Sequence, residues 1–168
     1  VLASRIRFSR IMHEDEILSV AWSPNSQWIL TGSSDQTAQV CDAGTGKSVY
    51  TLKGHTNKVN SVNWNPNGLK ILTASWDTTA RVWNAKTGQE IFSLESHDEA
   101  LFSGSWSPDG TKIITCSADE TARIWDAQTG TQQFTLAGHD GAVLSAVYSP
   151  DGDRIVTASK DGTARIWD

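Results

Sequence analysis

A repeat of 42 residues is the feature that most constrains how this 168-residue chain folds. All the histidines recur at this spacing, and so do all the prolines. The histidines are His13, His55, His97 and His139, and the prolines are Pro24, Pro66, Pro108 and Pro150. Because a fixed period of about 20–50 residues is typical of stacked structural units, we expect four similar units.

Each repeat is predicted to contain four short β-strands. In the second repeat, apolar and β-branched runs occupy 59–64, 70–75, 80–83 and 89–94, with turn residues between them and no helical period. Pro66-Asn67-Gly68 supplies the first turn, because proline fixes φ and glycine tolerates a positive φ. Units of this kind predict an all-β fold, a β-propeller whose four-stranded antiparallel blades surround a central channel.

Several short motifs resemble those of the WD-repeat family. They are Gly54-His55 and Gly138-His139, the Ser-Pro-Asp-Gly turns, and the closing Trp125-Asp126 and Trp167-Asp168. The resemblance extends over the whole chain and implies one propeller or half-propeller domain, 1–168. Its parts would be an outer strand at 1–12, blades at 13–54, 55–96 and 97–138, and a three-stranded blade at 139–168.

The resemblance also implies a hydrogen-bonded network in each blade, made by a Trp, a Ser or Thr, a His and an Asp. The matching sets are Ser75, Asp77 and Trp83 with His55; Ser117, Asp119 and Trp125 with His97; and Ser159, Asp161 and Trp167 with His139. A buried aspartate must be paired, and the other groups supply donors. The first repeat has only His13, Ser33 and Asp35, because Cys41 replaces the tryptophan, so its blade should be the least rigid.

Recurring His, Ser and Asp residues could also suggest a hydrolase triad. A nucleophile site, however, needs one singular constellation with an oxyanion hole, whereas this set occurs in every repeat. Equivalent histidines on different blades cannot converge on one metal ion. We therefore expect no enzyme, no metal and no cofactor.

Charge and cysteine content narrow the partners further. The formal net charge of −5 removes the positive field on which non-specific nucleic-acid binding depends. Cys41 and Cys116 form no CxxC pair and should be reduced and packed. No apolar run approaches the roughly 20 residues of a membrane helix, and residues 1–10 do not resemble a secretory signal. We expect a cytoplasmic chain that binds neither nucleic acid nor membrane.

Closure of the ring has more than one interpretation. The chain begins with an outer strand at 5–11 and ends on a third strand, an offset that in the WD-repeat family lets the first strand complete the last blade. Two copies could then close an eight-bladed homodimeric ring. Alternatively, Arg5, Arg7 and Arg10 suit a charged edge strand that avoids pairing, or the four blades are a segment of a larger multidomain protein.

The resemblance places the usual partner contacts on the face that carries the turn before the blade aspartate and the start of the first strand. Trp76 and Lys160 stand in this turn, and the first strands carry Leu18, Asn60, Phe102 and Leu144. Lys58 adds a charge on the rim of the same face. Large aromatics suit interface anchors, so this face is predicted to bind a peptide or protein. The alternatives are that Trp76 only packs on a neighbouring loop, and that the chain is a structural ring whose partner is another copy.

Overall fold

The computed structural model describes residues 10–168, which fold into four antiparallel β-sheets. Within each sheet the strands lie side by side in sequence order. We call the sheets blades 1 to 4. This arrangement confirms the predicted all-β class.

The first three blades have four strands each and the fourth has three. Blade 1 consists of β1 (Ile17–Trp22), β2 (Trp28–Ser33), β3 (Ala38–Asp42) and β4 (Ser48–Leu52). Blade 2 consists of β5 (Val59–Trp64), β6 (Lys70–Ser75), β7 (Thr79–Asn84) and β8 (Glu90–Glu95). Blade 3 consists of β9 (Leu101–Trp106), β10 (Lys112–Ser117), β11 (Thr121–Asp126) and β12 (Gln132–Ala137). Blade 4 consists of β13 (Val143–Tyr148), β14 (Ile155–Ser159) and β15 (Ala164–Trp167).

The strand predictions for the second repeat are confirmed to within one residue. Its first two strands have the predicted bounds, and the third and fourth are Thr79–Asn84 and Glu90–Glu95. The predicted outer strand at 1–12 lies almost wholly outside the described residues, and residues 10–12 belong to no strand.

Neighbouring blades pack face to face through apolar side chains. At the junction of blades 1 and 2, Leu30 and Val40 pack against Val59 and Val62. Gly32 permits this approach, since a Cβ there would lie 2.7 Å from a Val62 methyl group. Each buried Val, Leu or Ile contributes roughly 1.5–3 kcal/mol, so the junctions supply much of the stability.

The arc of blades is open. The first strand of each blade contacts the first strand of the next, but no strand pairing within residues 10–168 joins blade 4 to blade 1. Among residues 10–168, nothing covers the two apolar faces at the ends of this arc. On blade 4, Ile166 is 70% exposed, and on blade 1, Val20 is 67% exposed.

Two further features bear on earlier expectations. Cys41 and Cys116 are free and buried, as predicted. Among residues 10–168, no helix has the length and apolar character needed to cross a membrane.

Candidate functional site

A chain of hydrogen bonds crosses each blade near the end where the first strand begins. In blade 2, His55 Nδ1 lies 2.8 Å from Asp77 Oδ2, and His55 Nε2 lies 2.7 Å from Thr73 Oγ1. The indole N–H of Trp83 donates to the same hydroxyl oxygen at 2.9 Å. With the imidazole neutral, its Nδ1–H donates to the carboxylate and its Nε2 accepts the threonine proton.

The threonine in this chain is the residue that sequence analysis missed. Ser75, which was assigned to the network, donates instead to the backbone carbonyl of Asn57 at 3.0 Å and accepts the backbone N–H of Asp77. Thr73 occupies the central place because β6 and β7 pair Ile71 with Trp83, which makes Thr73 the diagonal neighbour of the indole. Ser75 lies two residues further along the strand.

The same arrangement recurs in blades 3 and 4. His97 and His139 contact Asp119 and Asp161, and their other ring nitrogens contact threonine hydroxyls that also accept an indole N–H. Those threonines are Thr115 and Thr157, and the indoles are Trp125 and Trp167. Ser117 and Ser159 follow Ser75 in donating to a backbone carbonyl.

Blade 1 lacks only the indole. His13 contacts Asp35 at 2.8 Å and Thr31 at 2.7 Å, as in the other blades. In blade 2, a Cβ on Gly54 would lie 2.8 Å from Arg81 and 3.4 Å from the Trp83 ring. Blade 1 has Met12, Gln39 and Cys41 at these three positions.

The aspartates of this network are held in their charged form. Burial alone would raise the pKa of Asp77, but hydrogen bonds from His55, Thr56 and Thr79 bring its pKa well below the usual value. The same balance lowers the pKa of Asp119. These carboxylates therefore serve as fixed acceptors near neutral pH and not as proton donors.

In the network described for blade 2, no exposed hydroxyl is paired with a histidine. The Ser75 hydroxyl is bonded to backbone groups and not to His55. The Thr73 hydroxyl does reach His55, but Thr73 is fully buried and also bonded to Trp83. Within residues 10–168, no group of three His, Cys, Asp or Glu side chains is placed to hold a metal ion.

The predicted partner residues come together at the same end of blades 2, 3 and 4. The rings of Trp76 and Phe102 meet edge to face, with centroids 6.4 Å apart. Lys58 Nζ lies 5.4 Å from the Trp76 ring, and Lys160 Nζ lies 5.5 Å from the Phe102 ring. Asn60 donates its amide to the Phe102 carbonyl at 2.8 Å and thereby joins blade 2 to blade 3. We call these five residues the aromatic–lysine cluster.

Leu18 and Leu144 occupy the positions equivalent to Phe102 on blades 1 and 4, and both are partly exposed. Trp76 does pack on a neighbouring blade, through Phe102, yet it remains 40% exposed. Its turn is strained, because the next-but-one residue, Thr78, has a φ of 73°. A β-branched residue rarely adopts this left-handed conformation.

The matches to a known protein family recur along the chain with the same period as the repeat. The family described as "WD domain, G-beta repeat" matches residues 7–42, 46–84, 88–126 and 130–168. Each of the last three matches starts at the outer strand of one blade and includes the first three strands of the next.

One relative matches over a shorter stretch. The transcriptional repressor rco-1 of Neurospora crassa is 49% identical over 45 residues, which are 27% of this chain and 8% of that protein. The chain thus spans far less than two thirds of this relative. The four family matches, in contrast, cover most of the chain and coincide with its blades, and the chain belongs to the WD-domain, G-beta-repeat family.

Proposed function

We propose that this chain is a non-catalytic interaction scaffold that binds a peptide or protein partner over the aromatic–lysine cluster. The observation that supports this function most strongly is the half-exposed Trp76 ring, which is held edge to face against Phe102. Interface hot spots are enriched in aromatic side chains of this kind, and a fixed ring loses little conformational entropy on binding.

The four repeats have different residues at the positions that form the aromatic–lysine cluster. The positions equivalent to Trp76 hold Ser34, Ala118 and Lys160, whereas the network aspartates and histidines are the same in every repeat. A residue that every blade needs for folding should be present in every blade. Trp76 is not required by the blade fold, so a contact with a partner better explains it.

The experiment is a peptide-display selection against the immobilised chain, followed by titration of the selected peptides. Replacement of Trp76 and Phe102 by Ala should weaken their binding by at least about tenfold, which is the loss of one hot-spot residue. Phe134→Ala is the matched control, since Phe134 is an exposed aromatic away from the cluster. Selected peptides that bind the double variant as tightly as the original chain would refute the proposed face.

A second candidate function is self-assembly, and the open end faces favour it. Val156 and Ile166 on blade 4 correspond to Leu72 and Val82, which are buried against the next blade. Blade 1 exposes Val20 at the position of Val62, which is buried at an internal junction. The two end faces therefore repeat the two halves of an internal junction, and apolar patches of this kind drive association.

Two copies could cover both faces in an eight-bladed ring, with residues 5–11 of each completing blade 4 of the partner. Light scattering after size exclusion tests this arrangement, which requires a species of twice 18.3 kDa. Ile166→Lys should convert that species to a monomer, because a charge would then be buried in the junction. A monomeric chain would refute the dimer, whereas polydisperse aggregates would favour a segment of a larger protein.

A further inference from the structure

The junction of blades 1 and 2 contains an apolar cavity at the end of the blades opposite to the aromatic–lysine cluster. Its volume is about 490 Å³, which lies within the range of ligand pockets. Trp28 and Tyr50 of blade 1 line one side, and Trp64 and Leu69 of blade 2 line the other. Among residues 10–168, Lys86 is the one charged side chain that lines it. We call this cavity the junction pocket.

The junction pocket is apolar because blade 1 departs from the repeat. A cavity of about 420 Å³ occupies the equivalent place between blades 3 and 4, but it is lined by charged side chains, Asp109, Lys112, Asp151 and Asp153. Lys70 stands at the position of Trp28, and at the next junction its Nζ donates to the Ala127 carbonyl at 2.7 Å and lies over the Phe92 ring. At the first junction, the hydroxyl of Tyr50 donates to the carbonyl of Ala85, which is the residue equivalent to Ala127. Tyrosine and tryptophan thus replace phenylalanine and lysine and satisfy the same carbonyl.

The substitution satisfies the backbone carbonyl and places two aromatic rings, in place of a lysine and a phenylalanine, in the wall of the cavity. The walls of this cavity are fixed. The Tyr50 ring packs so closely under Gly88 that a Cβ there would lie 2.8 Å from it, and Gly88 has a φ of 70°, which suits glycine. A preformed wall reduces the entropic cost of binding.

The apolar surface continues beyond the cavity. Leu69 is 67% exposed and Val49 is also exposed, and both line the rim of the junction pocket. The other repeats have Gln27, Thr111 and Asp153 at the position of Leu69. A small molecule held inside the cavity would leave these rim residues in water, whereas a polypeptide could cover the cavity and the rim together.

The charge of Lys86 indicates which kind of polypeptide the junction pocket suits. Lys86 is exposed, and within residues 10–168 it has no carboxylate partner. Gly44 and Gln128 stand at its position in other repeats, so this cation, like the apolar rim, belongs to the first junction alone. An ammonium group at the mouth of an apolar cavity complements a large apolar side chain that is followed by a carboxylate.

We propose that the junction pocket is a second partner site, which binds an acidic–hydrophobic polypeptide segment by inserting an aromatic or large aliphatic side chain beside Lys86. This site is separate from the aromatic–lysine cluster and does not depend on the function proposed for it. The two sites lie at opposite ends of blade 2, because Lys58 precedes β5 and Leu69 follows it.

The probe is the peptide acetyl-Glu-Leu-Trp-Glu-amide, titrated into the full chain while the indole N–H signals of Trp28 and Trp64 are followed by NMR. We expect saturable shifts of both signals. The same peptide with lysine in place of glutamate should bind about fivefold more weakly, which is the effect of one exposed ion pair.

The repeat itself provides matched variants. Trp28→Lys with Tyr50→Phe copies the pair that blade 2 uses at the next junction, and it should abolish the shift of the Trp64 signal. Leu69→Thr copies blade 3 at an exposed position that cannot unfold the chain, and it should weaken binding severalfold. Lys86→Gln copies blade 3 and should remove the preference for the acidic peptide.

Four results would overturn the proposal. The first is the absence of a saturable shift, and the second is an affinity that neither Leu69→Thr nor Trp28→Lys with Tyr50→Phe changes. The third is equal affinity for the acidic and the basic peptide. The fourth is binding of indole-3-acetate alone as tightly as the peptide, which would show that the pocket takes a small carboxylate. Replacement of Trp76 and Phe102 by Ala should not alter these shifts, so failure at one site is distinguishable from failure at the other.

Discussion

Removal of the hydroxyl at the centre of the blade 2 network should destabilise the chain strongly. Thr73→Val keeps the shape of the side chain but removes the oxygen that accepts from Trp83 and contacts His55. Because Thr73 is fully buried, water cannot replace the lost oxygen. Two buried polar groups would then have no partner.

The magnitude follows from the number of groups left unsatisfied. Each buried donor or acceptor without a partner costs about 1–3 kcal/mol, so the free energy of unfolding should fall by about 2–6 kcal/mol. With a urea m-value of about 2 kcal/mol/M, the unfolding midpoint should move down by about 1–3 M.

Blade 1 provides the control, because its equivalent hydroxyl accepts no indole N–H; Thr31 contacts His13 and, at 3.5 Å, the Gln39 carbonyl, which its own strand pairing also reaches. Thr31 is equally buried and contacts His13, but Cys41 offers no indole. Thr31→Val should therefore cost about 1–3 kcal/mol, which is the effect of one unsatisfied group and about half the cost of Thr73→Val. Both variants are unfolded in urea at one protein concentration and followed by tryptophan fluorescence, because self-association would make the midpoint depend on concentration.

The difference between the stability losses of Thr73→Val and Thr31→Val measures what the indole hydrogen bond contributes. If Thr31→Val and Thr73→Val reduce stability equally, the indole bond contributes nothing and the network described for blade 2 is not a stabilising unit. A loss below about 0.5 kcal/mol in both would show that the hydroxyls are dispensable, and it would contradict the cost assigned to buried unpaired groups.

Three further predictions concern charge and backbone conformation. Stability should fall as the pH drops below about 4, because the pKa of Asp77 and of Asp119 is lower in the folded state than in the unfolded state. The stability that these carboxylates contribute is complete above the pKa of the unfolded state and is lost as they are protonated. Urea midpoints from pH 7 to pH 3 measure this loss, and Asp77→Asn should make the midpoint depend less on pH. Thr78→Gly should raise stability by about 0.5–1 kcal/mol in thermal unfolding, since glycine relieves the left-handed strain. Gly88→Ala should cost more than Gly162→Ala in the same assay, because both have positive φ but only the first Cβ would meet a neighbouring ring.

The strands were predictable because turn residues and the 42-residue period mark their ends in every repeat. The network was predictable only in part. Its histidines and aspartates recur visibly, but the partner of the indole depends on the register of two strands, and Trp83 lies diagonal to Thr73 and not to Ser75. A hydroxyl at either position fits the sequence pattern equally well, so only the fold distinguishes them.

The junction pocket was not predicted, because its walls come from residues one repeat apart. Nothing in the sequence shows that Trp28 faces Leu69 or that Tyr50 bonds to Ala85 across the junction. Alignment of the repeats does show that Trp28 replaces a lysine. That replacement was the available signal, but its meaning depends on which side chain lies opposite.

In a repeat protein, residues that recur support the common fold, and residues that differ between repeats are free to serve a partner. Both proposed sites follow this rule, since Trp76 and Trp28 have no aromatic counterparts in the other repeats. The strand β5 separates the sites by six residues, or roughly 20 Å at the rise of a β-strand. Side chains that far apart share no contacts, so their effects on binding should be additive and one chain could hold both partners at once. Occupation of the junction pocket by the acidic peptide should therefore leave the affinity of the aromatic–lysine cluster for its own partner unchanged.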